Sequence, residues 1–129
     1  MARRKILLID DYRPFVASLR LALSADFEIE IADSMNEGLD RLRKSAFDAV
    51  LCDVLIPGGS GIDLFRQVQA ASLPVATRFV FLTGGGTSDD AEAFLAQVAN
   101  PTLRKPFSLP ALLSTLGRLF ERGDQAVAR

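Results

Sequence analysis

Three unbroken apolar runs, Ile6 to Ile9, Ala49 to Cys52 and Phe79 to Leu82, limit what this chain can fold into more than any other feature. Each run stops at a residue able to do chemistry: Asp10-Asp11 after the first, Asp53 after the second, Thr83 after the third. A strand with one face in water alternates apolar and polar residues, whereas a strand covered on both faces does not. The three runs therefore read as central strands of a sheet coated by helices on both sides.

The intervening segments have helical spacing. Residues 15, 16, 19, 22 and 23 (Phe, Val, Leu, Ala, Leu) predict a helix from about Arg13 to Ser24, with Pro14 in its first turn, where a missing N–H is tolerated. Ser34-Met-Asn-Glu37 is a capping box, and Met35, Leu39 and Leu42 give the next helix its apolar stripe. Pro57, Gly58 and Gly59 prevent a helix directly after Asp53. Ser60 with Asp63 predicts one starting near Gly61, carrying Ile62, Leu64, Phe65 and Val68. That helix is closed around Ser72 to Pro74. Gly84 to Gly86 form a loose loop before a helix with Ala91, Phe94, Leu95 and Val98. Ser108 caps the last helix, whose stripe is Leu109, Leu112, Leu113, Leu116 and Phe120. Residues 123–129 read as a flexible tail.

Two weaker strands complete the pattern. Phe27, Ile29 and Ile31 alternate with Glu28 and Glu30, as an edge strand does, and Thr102 to Arg104 ends at Lys105 on the opposite edge. Five strands alternating with five helices predict an α/β fold, a doubly wound parallel sheet with helices on both faces. Placing the alternating strand at one edge gives the flavodoxin-like order 2-1-3-4-5. The binding crevice then lies at the switch between the first and third strands.

Composition narrows the function. At 129 residues the chain forms one domain with a core of its own, and 49% apolar with 24% charged residues argues against disorder. A net charge of −1 offers no basic footprint for nucleic acid, and the apolar runs are too short to span a membrane. The lone Cys52 fits a reduced, cytoplasmic setting as a buried hydrophobe. Histidine is absent, which excludes Ser-His and Cys-His catalysis and imidazole metal sites.

In a parallel sheet all strand ends share one edge, so Asp10, Asp11, Asp53, Thr83 and Lys105 are expected together there. Neighbouring strands are about 4.8 Å apart. Two carboxylates at about 5 Å repel by about 3 kcal/mol at an effective dielectric near 20. An oxygen-only donor set suits a hard divalent cation such as Mg2+, which would offset that repulsion. An ionised carboxylate needs no general base to attack a phosphoryl group, and the ammonium of Lys105 and the hydroxyl of Thr83 could stabilise the charge on its oxygens. Each residue alone has a plainer reading: Asp10 as a cap, Asp53 as a turn residue, Thr83 as a strand-end hydroxyl, Lys105 as a solvated charge.

Asp10-Asp11, Asp53 with Pro57 and Gly61 behind it, Thr83, and Lys105-Pro106-Phe107 together resemble the receiver domain of bacterial two-component response regulators. The resemblance runs from Lys5 to about Arg122 and implies a receiver domain over residues 1–122. It implies that Asp53 accepts a phosphoryl group from a phosphohistidine on a sensor histidine kinase or a histidine phosphotransfer protein. Mg2+ would be held by Asp11, Asp53 and the backbone carbonyl of Leu55, with Asp10 acting through water. Lys105 would bind the phosphate and Thr83 would swing toward it. The segments Phe81 to Gly86 and Asn100 to Phe107 also resemble, more weakly, receivers at the C-terminal end of hybrid sensor histidine kinases.

Three positions depart from the family. Thr102 stands where receivers usually carry Tyr or Phe, so the signal is expected to leave through the loop and helix after Thr83, helped by Gly84 to Gly86, or by changed docking. Leu55 and Gly85 occupy positions that tune hydrolysis of the aspartyl phosphate, and neither can orient a water, so self-dephosphorylation is expected to be slow. With one helix after Lys105 and no output domain in view, the chain is expected to act by binding partners. The rivals are a degenerate receiver serving as a phosphorylation-independent interaction module, a haloacid dehalogenase-type phosphatase and a flavodoxin-type flavin binder. The phosphatase would want an acidic residue where Leu55 stands, and Asp-Asp-Tyr-Arg-Pro would repel a flavin phosphate.

Overall fold

The structure is a computed structural model that describes residues 3–128, with side chains described over 3–121. Strand β1 (Lys5–Ile9) is followed by α1 (Arg13–Leu23), β2 (Glu28–Ala32), α2 (Met35–Lys44) and β3 (Ala49–Asp53). A short hairpin, β4 (Leu55–Ile56) and β5 (Gly59–Ser60), leads into α3 (Gly61–Ala70). A 3-10 turn over Pro74–Arg78 precedes β6 (Phe79–Thr83), α4 (Asp89–Gln97), β7 (Thr102–Arg104) and α5 (Leu109–Ala128). The main sheet is parallel throughout, in the order β2-β1-β3-β6-β7. With the hairpin set aside, this is the expected flavodoxin-like order 2-1-3-4-5.

The apolar runs are buried on both faces because successive side chains of a strand point to opposite sides. Leu7, Ile9, Val50, Cys52, Phe79 and Phe81 face one layer, packed with Leu42, Leu64, Phe65 and Val68 of α2 and α3. Ile6, Leu8, Leu51, Val80 and Leu82 face the other, against Val16, Leu19 and Leu23 of α1 and Leu112, Leu116 and Phe120 of α5. In the first layer Phe65 meets Phe79, Phe81 and Phe94 edge-on at 5.4, 5.3 and 5.9 Å between ring centroids.

The helix starts follow the chemistry of the caps. Ser34, Ser60, Ser88 and Ser108 each accept a hydrogen bond through Oγ from the backbone N–H three residues on. Strand β2 is an edge, and its Glu30 is tied to Lys5 at 2.6 Å and Arg41 at 2.8 Å.

Three features differ from the sequence reading. Pro57 and Gly58 do not merely turn the chain but close the β4–β5 hairpin, with Gly58 at φ 87°. The stretch after α3 winds into the 3-10 turn. Val98 lies just past α4, and no residue of α4 is fully buried. The segment expected as a tail, 123–129, lies outside the described side chains, while the backbone of α5 continues to Ala128.

Candidate functional site

Register brings the strand ends together. Ile9 pairs with Cys52, Asp53 with Leu82 and Thr83 with Arg104, so the residues that end β1, β3, β6 and β7 line one edge of the sheet. Asp10 continues β1, its N–H donating to the carbonyl of Ala32 at 3.1 Å. Its side chain is completely buried, with Oδ1 accepting from the backbone N–H of Tyr12 at 2.9 Å. Oδ2 accepts from Lys105 Nζ at 2.6 Å.

The same ammonium donates to Asp53 Oδ2 at 3.1 Å, and Asp53 Oδ1 accepts from the N–H of Leu55 at 3.2 Å. Lys105 thus supplies the positive charge that two adjacent carboxylates require. Burial raises the affinity of Asp53 for a proton, and the hydrogen bonds from Lys105 and Leu55 offset this only in part, leaving its pKa above the usual carboxylate value. Burial alone would push the Lys105 ammonium down, but its hydrogen bonds to Asp10 and Asp53 outweigh that and hold its pKa above the ordinary lysine value.

Thr83 is buried at the end of β6. Its carbonyl accepts from the backbone N–H of Lys105 at 2.7 Å, fixing the start of the lysine stem, and its Oγ1 accepts from the N–H of Gly85 at 3.4 Å. Gly85 and Gly86 sit at φ 96° and 75°, a conformation that side-chain-bearing residues seldom adopt. The Lys105–Pro106 peptide is cis. Below Asp53, Gly61 allows α3 to approach so closely that a Cβ there would collide with the Asp53 carbonyl oxygen. A larger residue would push the helix off β3.

Of the residues expected at the site, Asp10, Asp53 and Lys105 are in direct contact, and Thr83 joins them through its backbone. Asp11 is adjacent in the chain but exposed, and Leu55 is 51% exposed at the rim. Among the described residues no three His, Cys, Asp or Glu side chains enclose a cation unaided. The chemistry of the donors nevertheless suits a hard cation: the carboxylates of Asp11 and Asp53 and the carbonyl of exposed Leu55 are oxygen donors only, as Mg2+ that keeps several waters prefers.

Two contacts escaped the sequence reading. The Lys105 ammonium stands 4.1 Å from the centroid of the Phe15 ring, and Phe15 meets Phe107 edge-on at 5.9 Å. The other is Glu92 of α4, which accepts from Thr87 Oγ1 at 2.6 Å and from Arg104 at 3.1 Å, tying the loop after Thr83 to β7. Phe15 was legible only as part of a helical apolar stripe; Glu92 carried no signal.

The model of the response regulator receiver domain matches residues 6–117. The chain belongs to the response regulator receiver family. This receiver is 33% identical over 121 residues to response regulator MprA of Mycolicibacterium vanbaalenii, a match covering 92% of the chain and 51% of that protein. It therefore spans about half the length of the curated relatives it matches. Among solved structures, a response regulator receiver domain from Clostridium thermocellum superposes with a TM-score of 0.82 at 28% identity, covering 98% of the receiver and 99% of that chain. The signal receiver domain of a LuxO repressor protein from Vibrio parahaemolyticus shares the fold, with a TM-score of 0.84 at 17% identity over 98% of this chain and 96% of that one. The receiver is thus a signalling domain of two-component systems, whose receivers interact with histidine kinases or phosphotransfer proteins. Among the described residues no helix is long and apolar enough to cross a membrane.

Proposed function

We propose that this receiver is phosphorylated on Asp53 by a phosphohistidine of a sensor histidine kinase or histidine phosphotransfer protein, in the cytoplasm, and that phosphorylation changes which partner it binds. The observation that carries this reading is the Lys105 ammonium held between the carboxylates of Asp10 and Asp53. In the transfer, an oxygen of Asp53 attacks phosphorus, the N–P bond breaks, and its electron pair stays on the departing imidazole. Lys105, released from Asp53, stays beside the new acyl phosphate and neutralises an equatorial oxygen, while the Thr83 hydroxyl turns to another.

Asp11, Asp53 and the Leu55 carbonyl are the residues that would hold Mg2+, with Asp10 acting through water. Bound there, Mg2+ would neutralise the phosphoryl oxygens as charge develops on them.

The test is intact mass after incubation with acetyl phosphate, with and without Mg2+, using Asp53→Ala as control. Gain of one phosphoryl group that requires both Mg2+ and Asp53 is the expected result. No gain in folded protein would overturn it in favour of a phosphorylation-independent interaction module.

A further inference from the structure

Resting on the proposed phosphoryl uptake at Asp53, we propose that Phe15 is a positioning residue for it, its ring face holding the Lys105 ammonium against the reacting carboxylate. An ammonium has three N–H donors, and those of Lys105 that the structure pairs go to Asp10 and Asp53. The remaining side of the charge meets the Phe15 ring, 4.1 Å from its centroid. At that distance the negative face of the ring attracts the cation, and more strongly where water is scarce.

Lys105 has a flexible four-carbon stem, and only one end of it is fixed by the Thr83 carbonyl. Its head needs a second restraint when Asp53 is consumed, because the carboxylate that held it gives up its charge on becoming an acyl phosphate. Asp10 gives one such restraint and Phe15 the other. The ring is itself oriented: Phe107, two residues beyond the lysine, packs edge-on against it with an interplanar angle of 87°. The segment that carries Lys105 therefore folds back to fix the surface on which Lys105 rests. A leucine or methionine would fill comparable space but present no quadrupole, leaving Asp10 as the restraint on the ammonium once Asp53 has reacted.

Phe15 also lines an open groove of about 490 Å³ with Tyr12, Leu19, Phe107 and Leu109, so a protein phosphodonor would mix docking with chemistry. A small donor separates the two. The experiment measures the rate of phosphorylation by phosphoramidate with Mg2+ in wild type, Phe15→Leu, Phe15→Met and Phe15→Tyr, each checked for a native melting transition. Alongside, NMR reads the Lys105 ε-methylene protons, which the ring current displaces upfield in wild type.

Loss of about fivefold in rate in the Leu and Met variants, retention in the Tyr variant, and return of the ε-methylene signals to ordinary positions in Leu and Met are expected. Equal rates in all four proteins, or equal losses in all three variants, would overturn the inference while leaving Asp53 as acceptor. A wild type that takes up no phosphoryl group would instead remove the acceptor reading, and this inference with it.

Discussion

Lys105 and Asp10 meet at 2.6 Å, and the aspartate has no solvent contact of its own. The pair is as much a device of folding as of chemistry, since the apolar run before Asp10 places it at a strand end with its side chain buried. Replacing the lysine leaves that carboxylate buried with no opposite charge and only the Tyr12 N–H as partner, which costs more than the pair contributes. Lys105→Met is expected to lower stability by about 2–4 kcal/mol in urea titration. Asp10→Asn is also expected to lose stability, because its one amide oxygen can accept from Lys105 or from the Tyr12 N–H but not from both.

The elevated proton affinity of Asp53 works against folding at neutral pH. Its folded pKa lies above its unfolded one, so the cost is fully present above the folded pKa, shrinks as pH falls through it, and vanishes below the unfolded value near 3.9. Asp53→Asn is therefore expected to melt a few degrees higher than wild type at pH 7. The advantage disappears below about pH 4. Thermal melts of both proteins across pH check this.

Thr102 has a buried hydroxyl with no hydrogen-bond partner. Valine has nearly the same shape and no donor left unsatisfied, so Thr102→Val is expected to stabilise the domain by about 1 kcal/mol. Denaturant unfolding at matched m-value reads this directly.

Leu55 at the rim and Gly85 at the loop offer no side-chain group to align water for attack on an aspartyl phosphate. The phosphorylated form is expected to be long-lived, and Leu55→Asn to shorten its half-life by several-fold. An unchanged half-life, followed by mass spectrometry after donor removal, would show that side chains at this rim do not govern hydrolysis.

The sheet order and the shared edge were legible because continuous apolar runs have one physical interpretation, and a parallel sheet sends every strand end to the same side. Asp10, Asp53, Thr83 and Lys105 could thus be grouped without coordinates. The division of labour between Asp10 and Asp11 could not be read. Consecutive residues at a strand end point in opposite directions, and only the backbone bond from Asp10 to Ala32, which extends β1 by one residue, turns Asp10 inward. The contact of Phe15 with Lys105 was equally hidden, since it joins residues ninety positions apart and the helical stripe around Phe15 already had a sufficient explanation. The short hairpin after Asp53 was missed because two-residue strands carry no periodicity.

Helix α4 has no fully buried residue: Ala91, Phe94 and Leu95 rest half-buried against the core, and Glu92 ties its first turns to Thr87 and Arg104. An element whose apolar face is only half covered exposes less apolar surface on leaving the sheet than a sealed one, which lowers its free energy of local opening. The domain can therefore rearrange this helix while the rest of its hydrogen-bonded sheet stays closed. A small movement at Thr83, which begins the loop to α4, has these half-buried contacts to outweigh rather than the sealed faces of the central strands. Under the proposed phosphorylation, a response through α4 would thus draw little on the domain's global stability.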